Sequence, residues 1–194
     1  MLRATALALT IAILGAPAWA DDGQPATRPP IRPTRDVDVT YEIPRPSPTG
    51  GEQILSERMR WDVAGNRMRV DPPTTGVYML MDYGRHRLIA VKEADRTFVE
   101  VDSGDATGTP GIGRGAPFRK MGAGTVAGVP CTEWDTRDSG GQPVLVCMTD
   151  DGVLLRARSV DRLLITATRV DYGSADPAEF SPPPGFKRVR SEQP

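Results

Sequence analysis

Apolar and polar residues alternate along much of the chain after Asp36. From Asp36 to Ile43 every second residue is apolar, and the run from Leu55 to Val63 repeats the pattern with Met59 and Trp61 on its apolar side. A period of two places successive side chains on opposite faces of a strand. Each run therefore predicts a β-strand with one buried face.

Turn residues next to these runs predict hairpins. Gly65-Asn66 suits a two-residue turn, and the register that it sets places Asp62 opposite Arg69 on the polar face. The charges agree with this register. We therefore expect Asp62 and Arg69 to be cross-strand neighbours.

A second hairpin is predicted from Val77 to Lys92, with Gly84-Arg85 as its turn and Asp82 opposite Arg87. Both faces of this hairpin are largely apolar. A strand that is apolar on both sides is typical of a sheet covered on both faces. This pattern predicts that the hairpin lies in the centre of the sheet.

Further short strands follow, among them Thr97–Asp102 and Leu163–Val170, and short turns separate them. Consecutive hairpins of this kind predict an antiparallel meander. The segment from Asp176 to Phe180 carries the signals of one helical turn, with Asp as its cap and Pro at the first helical position. The fold class is therefore mainly β with little helix.

The two cysteines, Cys131 and Cys147, flank a turn sequence. If Asp138-Ser139-Gly140 forms a three-residue loop, the two cysteines fall directly opposite each other on paired strands. We expect one disulfide there. A redox-active or metal-binding pair is the alternative, but the chain has no CxxC motif and no third ligand beside the pair.

The N-terminus has the pattern of a secretory signal peptide, residues 1–20. One basic residue, Arg3, precedes an apolar run from Ala6 to Leu14, and Ala18-Trp19-Ala20 fits a cleavage site after Ala20. No cysteine follows that site, and no later apolar run has the length of a membrane span. These features predict a soluble periplasmic or secreted protein without a membrane anchor.

The rest of the chain divides by composition. Residues 21–35 are rich in proline and poor in apolar residues, which predicts a disordered arm. A single β domain is expected over 36–189, interrupted at 103–124 by a glycine-rich mobile loop, and residues 190–194 should fray.

Charge and candidate chemistry exclude several functions. The chain has 24 basic and 25 acidic residues, so nothing favours binding to nucleic acid. His86 is the only histidine and flanks a turn without an evident nucleophile beside it. We therefore expect no metal site, no cofactor and no enzymatic activity.

Four stretches resemble the periplasmic lipoprotein-carrier (LolA-like) superfamily, and they are more similar still to a group of secreted proteins without an assigned function that share its half-barrel fold. The stretches are GVYMLMDYGRHRLIAVKEADRTFVEVD, AGVPCTEW, VCMTDDGVLLR and ADPAEFSPPPGFKRV. The resemblance covers about Asp36 to Val189. It implies a strongly curved antiparallel sheet, an incomplete barrel whose concave face is apolar and in the carriers holds acyl chains. The chain departs from the carriers because it has no clear amphipathic helix to cover that face.

Two classes of function therefore stay open. One is a non-enzymatic binding protein that holds an apolar ligand, such as a lipid acyl chain, on the concave face. Its expected lining is Met59, Trp61, Met68, Met79 and Met81, because methionine adapts its shape to apolar surfaces, and the 103–124 loop would act as a lid. The other is an envelope protein-interaction or maintenance module with a fully packed core.

Overall fold

The structure is a computed structural model that describes residues 28–73, 76–104 and 111–190. Within these residues, twelve strands form a single curved sheet that is not closed. The strands are β1 (Val37–Pro46), β2 (Glu52–Asp62), β3 (Arg67–Asp71), β4 (Val77–Asp82), β5 (Arg87–Lys92), β6 (Thr97–Asp102), β7 (Arg119–Val126), β8 (Val129–Arg137), β9 (Pro143–Met148), β10 (Leu154–Arg158), β11 (Leu163–Tyr172) and β12 (Lys187–Val189). The predicted curved, mainly β fold is confirmed.

The sheet consists of two antiparallel meanders joined side by side. β1 to β6 form one meander and β7 to β11 form the other, and the two meet where β1 pairs with β11. β12 then adds to β6 in parallel. The two meanders therefore share one continuous sheet, and its curvature brings their apolar sides toward each other.

Cross-strand pairing defines an inner face of the first meander. Val37 pairs with Trp61 and Val39 with Met59, and the alternation of each strand carries this face on through β3 and β4. One apolar cluster joins these residues to Val153, Leu155 and Ala167 of the second meander. The core therefore lies between the two halves of the curved sheet.

The register predicted for the β2–β3 hairpin is wrong by two residues. Asp62 pairs with Arg67 instead of Arg69, and Arg69 pairs with Arg60. The carboxylate of Asp62 accepts a hydrogen bond from the backbone N–H of Gly65 at 2.8 Å, which stabilises a longer turn. A shift of two residues keeps every side chain on its predicted face.

The register predicted for the β4–β5 hairpin is confirmed, since Asp82 pairs with Arg87. Its predicted position is wrong, because β4 and β5 lie near one end of the sheet. Both faces are nevertheless covered. On the outer face, Tyr78, Leu80 and Val91 pack with Phe186 of the C-terminal segment, which takes the place of a second layer.

Cys131 and Cys147 form the predicted disulfide, with their Cα atoms 5.5 Å apart. They are not directly opposite, because Glu133 pairs with Cys147. The loop has five residues, since the Asp138 carboxylate accepts hydrogen bonds from the backbone N–H groups of Gly140 and Gln142, both at 2.8 Å. The predicted three-residue loop lacks this side-chain turn. The longer loop shifts the register by two residues, so the bridge joins the strands diagonally.

The predicted loop at 103–124 is shorter than expected, because β7 begins at Arg119. Glycine is unfavourable in strands, but here it has a packing reason. A Cβ at Gly124 would lie 3.1 Å from the Sγ atom of Cys147, so the strand passes close to the disulfide. Residues 105–110 of the loop lie outside the described residues.

The helical turn predicted near the C-terminus is confirmed as a 3₁₀ turn, Pro177–Phe180, capped by Asp176. Phe180 is buried against the sheet. After this turn, Lys187–Val189 form β12 along β6, within the predicted domain. Most of the expected tail, residues 191–194, lies outside the described residues.

The N-terminal arm differs from its predicted disorder wherever it is described. Arg28–Arg35, hereafter the arm, lies against the sheet, and the backbone N–H of Thr34 donates to the Asp151 carbonyl at 2.9 Å. Its proline richness and low apolar content predict disorder, whereas contacts of its arginines and prolines hold it on the sheet. The predicted signal peptide and residues 21–27 lie outside the described residues.

We predict that Cys131→Ser lowers the free energy of unfolding by about 2–4 kcal/mol without changing the fold, because the bridge restricts the unfolded chain. Chemical denaturation of the variant and the wild type measures this difference. Native protein isolated without reductant should contain no thiol that an alkylating agent can modify. Two alkylated cysteines would contradict the bridge.

Candidate functional site

A cavity of about 400 Å³ lies on the inner face, between β1–β2 of one meander and β10–β11 of the other. Its wall is mixed, with somewhat more apolar than polar surface, and its apolar part includes Ile43, Met59, Leu154, Ala157 and Ile165. Charged residues line it too, and two of them, Arg45 and Arg162, are exposed at the surface. This combination of an apolar interior and a few polar groups is typical of small-molecule sites.

Strand pairing positions the wall. β11 lies between β1 and β10, so Ile165 has Ala157 as its direct neighbour on β10. Ala157 is buried, and its small side chain leaves open a space above the sheet that a larger side chain would fill. The cavity therefore follows from the contrast between small and large side chains on adjacent strands.

The described end of the 103–124 loop covers part of the cavity. Gly111 and Ile112 line it, and the backbone N–H of Gly113 donates to the Arg137 carbonyl at 2.8 Å. A Cβ at Gly113 would lie 2.5 Å from the Asp138 carbonyl oxygen, so only glycine fits this close approach. The loop is thus anchored beside the cavity as a flap.

A buried tyrosine fixes the two meanders at the cavity. The Tyr41 hydroxyl donates to the Leu154 carbonyl at 2.7 Å, which links β1 to β10 across the core. Burial, with a smaller contribution from Glu57, raises the pKa of Tyr41 far above its ordinary value. Tyr41 is therefore a neutral hydrogen-bond donor over the whole physiological range of pH.

Of the two acidic side chains in the cavity wall, Glu57 is half-buried and Glu52 is exposed. Burial raises the pKa of Glu57, and the positive charge of Arg45 offsets part of this effect. The carboxylate therefore has an unfavourable environment when it is ionised. Glu57 therefore takes up a proton at a higher pH than an exposed glutamate does.

The five predicted lining residues occupy different places. Met59 lines the cavity. Trp61 stacks on Tyr83 with ring centroids 5.6 Å apart, and it lines a smaller space beneath the arm. Met68 is buried in the core, and Met79 and Met81 pack against the same cluster. The structure brings all five to the inner face, and their contact with a ligand stays a prediction.

Sequence reasoning missed most of the cavity wall. The alternation predicts that Ile43 is buried in a strand, but Ala157 and Ile165 give no functional signal because they are ordinary apolar residues of alternating strands. Their place in the cavity wall becomes evident only once β10 and β11 are known to lie beside β1 and β2 in the sheet. That arrangement depends on long-range pairing, which the local pattern does not contain.

Charged groups on the outer face hold the C-terminal turn against the sheet. The guanidinium of Arg60 is buried between the carboxylates of Asp71 and Glu179, with N–O distances of 2.6 Å to each. Burial alone would raise the pKa of Asp71, but hydrogen bonds from Arg69 and Arg60 outweigh it and lower the pKa. The cluster holds the 3₁₀ turn on β2 and β3, so its charges are neutralised internally.

His86 has a structural partner. Its Nδ1 donates to the Gly104 carbonyl at 3.0 Å, and its backbone has a positive φ of 54° in the turn before β5. Across residues 28–73, 76–104 and 111–190, no three histidine, cysteine, aspartate or glutamate side chains come together as a metal site. In that same part of the chain, no helix has the length and apolar character needed to cross a membrane.

Comparison with known proteins gives a fold and no family. No model of a protein family matches the chain, and no curated protein matches it. Among solved structures, an uncharacterized conserved protein from Thermus thermophilus is similar, with a TM-score of 0.55 and 12% identity over 80% of this chain and 90% of that one.

MucB is similar as well, with a TM-score of 0.50 and 13% identity over 78% of this chain. The match spans 58% of MucB, somewhat more than half of that protein. A LolA superfamily protein, NE2245 from Nitrosomonas europaea, has 16% identity over 76% of this chain and 82% of its own, but its TM-score of 0.32 carries no argument by itself. The fold is consistent with the LolA-like superfamily that the sequence resembles.

We predict that Glu57→Gln raises the melting temperature at neutral pH. The raised pKa of Glu57 means that its contribution to stability is complete below the ordinary glutamate pKa and is lost as the pH rises through the raised value. The difference between variant and wild type should therefore vanish in acid below the ordinary pKa. Thermal unfolding across this range measures it.

Glu52→Gln is the matched control, because Glu52 lies at the same cavity but is exposed. It should leave the melting temperature unchanged at neutral pH. An equal rise in both variants would show that general surface charge, rather than the burial of Glu57, causes the effect.

Proposed function

We propose that the protein is an exported, non-enzymatic binding protein that holds an apolar ligand, and that this ligand is a lipid acyl chain. The cavity between β1–β2 and β10–β11 is the observation that carries the proposal. Its volume of about 400 Å³ falls in the range of small-molecule sites. Its inner wall offers the apolar contacts of Met59, Leu154 and Ile165.

The physical argument concerns what covers an apolar sheet. An antiparallel sheet buries one face against another layer, and the described chain has only the 3₁₀ turn as helix, which lies on the outer side. The inner face is therefore covered by its own curvature, by the flap and by the arm. The cavity that remains is suited to an apolar ligand.

Two features support the proposed location outside the cytoplasm. The N-terminal sequence predicts export, and the Cys131–Cys147 disulfide is consistent with it, because such bridges persist in oxidising compartments. The fold supports the proposal too, since the curved, open sheet agrees with the LolA-like half-barrel that the sequence resembles. An acyl chain handled in the periplasm would need shelter from water of this kind.

The cavity wall supports binding without catalysis. Its described lining contains two carboxylates, Glu52 and Glu57, and two guanidinium groups, but no histidine, cysteine or serine. A general base with a nucleophile and an orienting group is the usual minimum for acyl chemistry. The lining therefore favours a carrier or receptor of the ligand.

A second candidate is a protein-interaction module, favoured by the edge of the sheet at β7. β7 ends the sheet, is largely exposed, and carries Met121 with 52% of its surface accessible. An edge strand presents unpaired backbone groups to a partner strand. This candidate requires no small ligand.

We predict that the wild-type protein takes up a fluorescent fatty acid and that Ala157→Phe weakens this uptake on the order of tenfold. The phenyl ring would occupy cavity space, and each methylene group that it excludes costs about 0.8 kcal/mol of binding. Fluorescence titration measures the affinity, and circular dichroism checks that the variant is folded.

Ala123→Phe is the matched control, since it makes the same substitution at an exposed position of β7. It should bind the probe as the wild type does. If the wild type takes up no probe, and if protein purified from its own compartment carries no lipid in native mass spectrometry, the ligand proposal is wrong and the interaction module stands.

A further inference from the structure

The arm crosses the inner face from one meander to the other. Arg35 pairs with Asp151 of the β9–β10 turn through an N–O distance of 2.9 Å. Three residues earlier, Arg32 donates to the side-chain carbonyl of Asn66 in the β2–β3 turn at 3.0 Å and lies 4.7 Å above the ring of Tyr83. The arm therefore bridges the open side of the curved sheet.

A second space lies directly beneath the arm. It is small, about 30 Å³, and Pro33 and Gly152 form part of its wall together with Trp61. Met59, Leu154 and Ile165 line both this space and the main cavity. The two spaces are thus neighbours on the same inner face and share these three side chains in their walls.

The arm is packed too closely against the sheet to be a loose tail at this point. A Cβ at Gly152 would lie 2.4 Å from the Arg32 carbonyl oxygen and 2.9 Å from the Cβ of Pro30. Glycine at this position therefore permits the close approach. The side chains that hold the arm are nevertheless not fully buried: Arg32 is half-buried, and 60% of the Arg35 side chain is accessible in its ion pair.

We propose that the arm closes the inner end of the ligand cavity and so determines the longest apolar chain that the protein accepts. This inference rests on the proposed function. With the arm in place, a ligand that enters beside Arg45 and Arg162 ends at Met59, Leu154 and Ile165. With the arm displaced, the space beneath Pro33 joins the cavity and longer chains reach Trp61.

The weakness of the individual anchors fits this role. Exposed ion pairs contribute little because water screens them, and an arginine above an aromatic ring adds a modest attraction at an exposed site. The arm can therefore leave the inner face without unfolding of the sheet. Its position would then control selectivity independently of the core.

Binding of a homologous series of saturated fatty acids, from octanoic to stearic acid, tests the proposal. In the wild type the affinity should rise about fourfold with each added methylene until the cavity is full, and should then stay constant. In Gly152→Ala the added methyl group pushes the arm away. The plateau should begin at a longer acid, and stearic acid should bind about tenfold more tightly than to the wild type.

Gly141→Ala is the matched control. Gly152 and Gly141 both have a left-handed backbone, with φ of 88° and 80°, but a Cβ at Gly141 meets no atom within 4 Å. Both variants therefore carry the same backbone strain, and only Gly152→Ala displaces the arm. Gly141→Ala should keep the wild-type plateau.

The double variant Arg32→Ala/Arg35→Ala releases the arm without backbone strain and should give the same longer plateau as Gly152→Ala. If the wild type binds acids but both arm variants keep its plateau, the arm is only a structural brace and the inference is overturned. If no acid of any length binds to the wild type, the proposed function itself fails.

Discussion

The pairing of β1 with β11 is the constraint on which the rest of the structure depends. Without it the chain would form two separate meanders, each with an uncovered apolar face. The two strands pair along most of their length, with a register shift between Thr40 and Tyr41. Bulges of this kind bend a strand and increase its twist. The bulge lies where Tyr41 reaches Leu154, so curvature and the hydrogen bond across the core occur at the same point.

The apolar inner face of the curved sheet is covered by irregular segments of the chain. The flap at Gly111 and Ile112 lies on one side of the inner face and the arm lies on the other. Both depend on glycines that permit close backbone approach, Gly113 for the flap and Gly152 for the arm. Segments held in this way are easier to move than a packed helix. A binding site that must admit and release an apolar chain requires such movement.

The outer face has the opposite character. There Arg60, Asp71 and Glu179 neutralise one another and attach the C-terminal turn, while Phe186 covers the β4–β5 hairpin. A buried guanidinium is tolerable only because both of its partners are present. The outer face is therefore closed by a fixed ionic and aromatic arrangement. Adaptable apolar contacts remain on the inner side, where we place the ligand.

The sequence by itself determined the strands, their buried faces, the β4–β5 register, the disulfide and the capped turn. These depend on local alternation, turn residues and short-range pairing. The tertiary structure decided the longer turns organised by Asp62 and Asp138, because a side chain that caps a turn changes its length without changing the alternation. It also decided the cavity and the position of the arm. Both depend on β11 lying beside β1, a pairing of distant segments that no local pattern encodes.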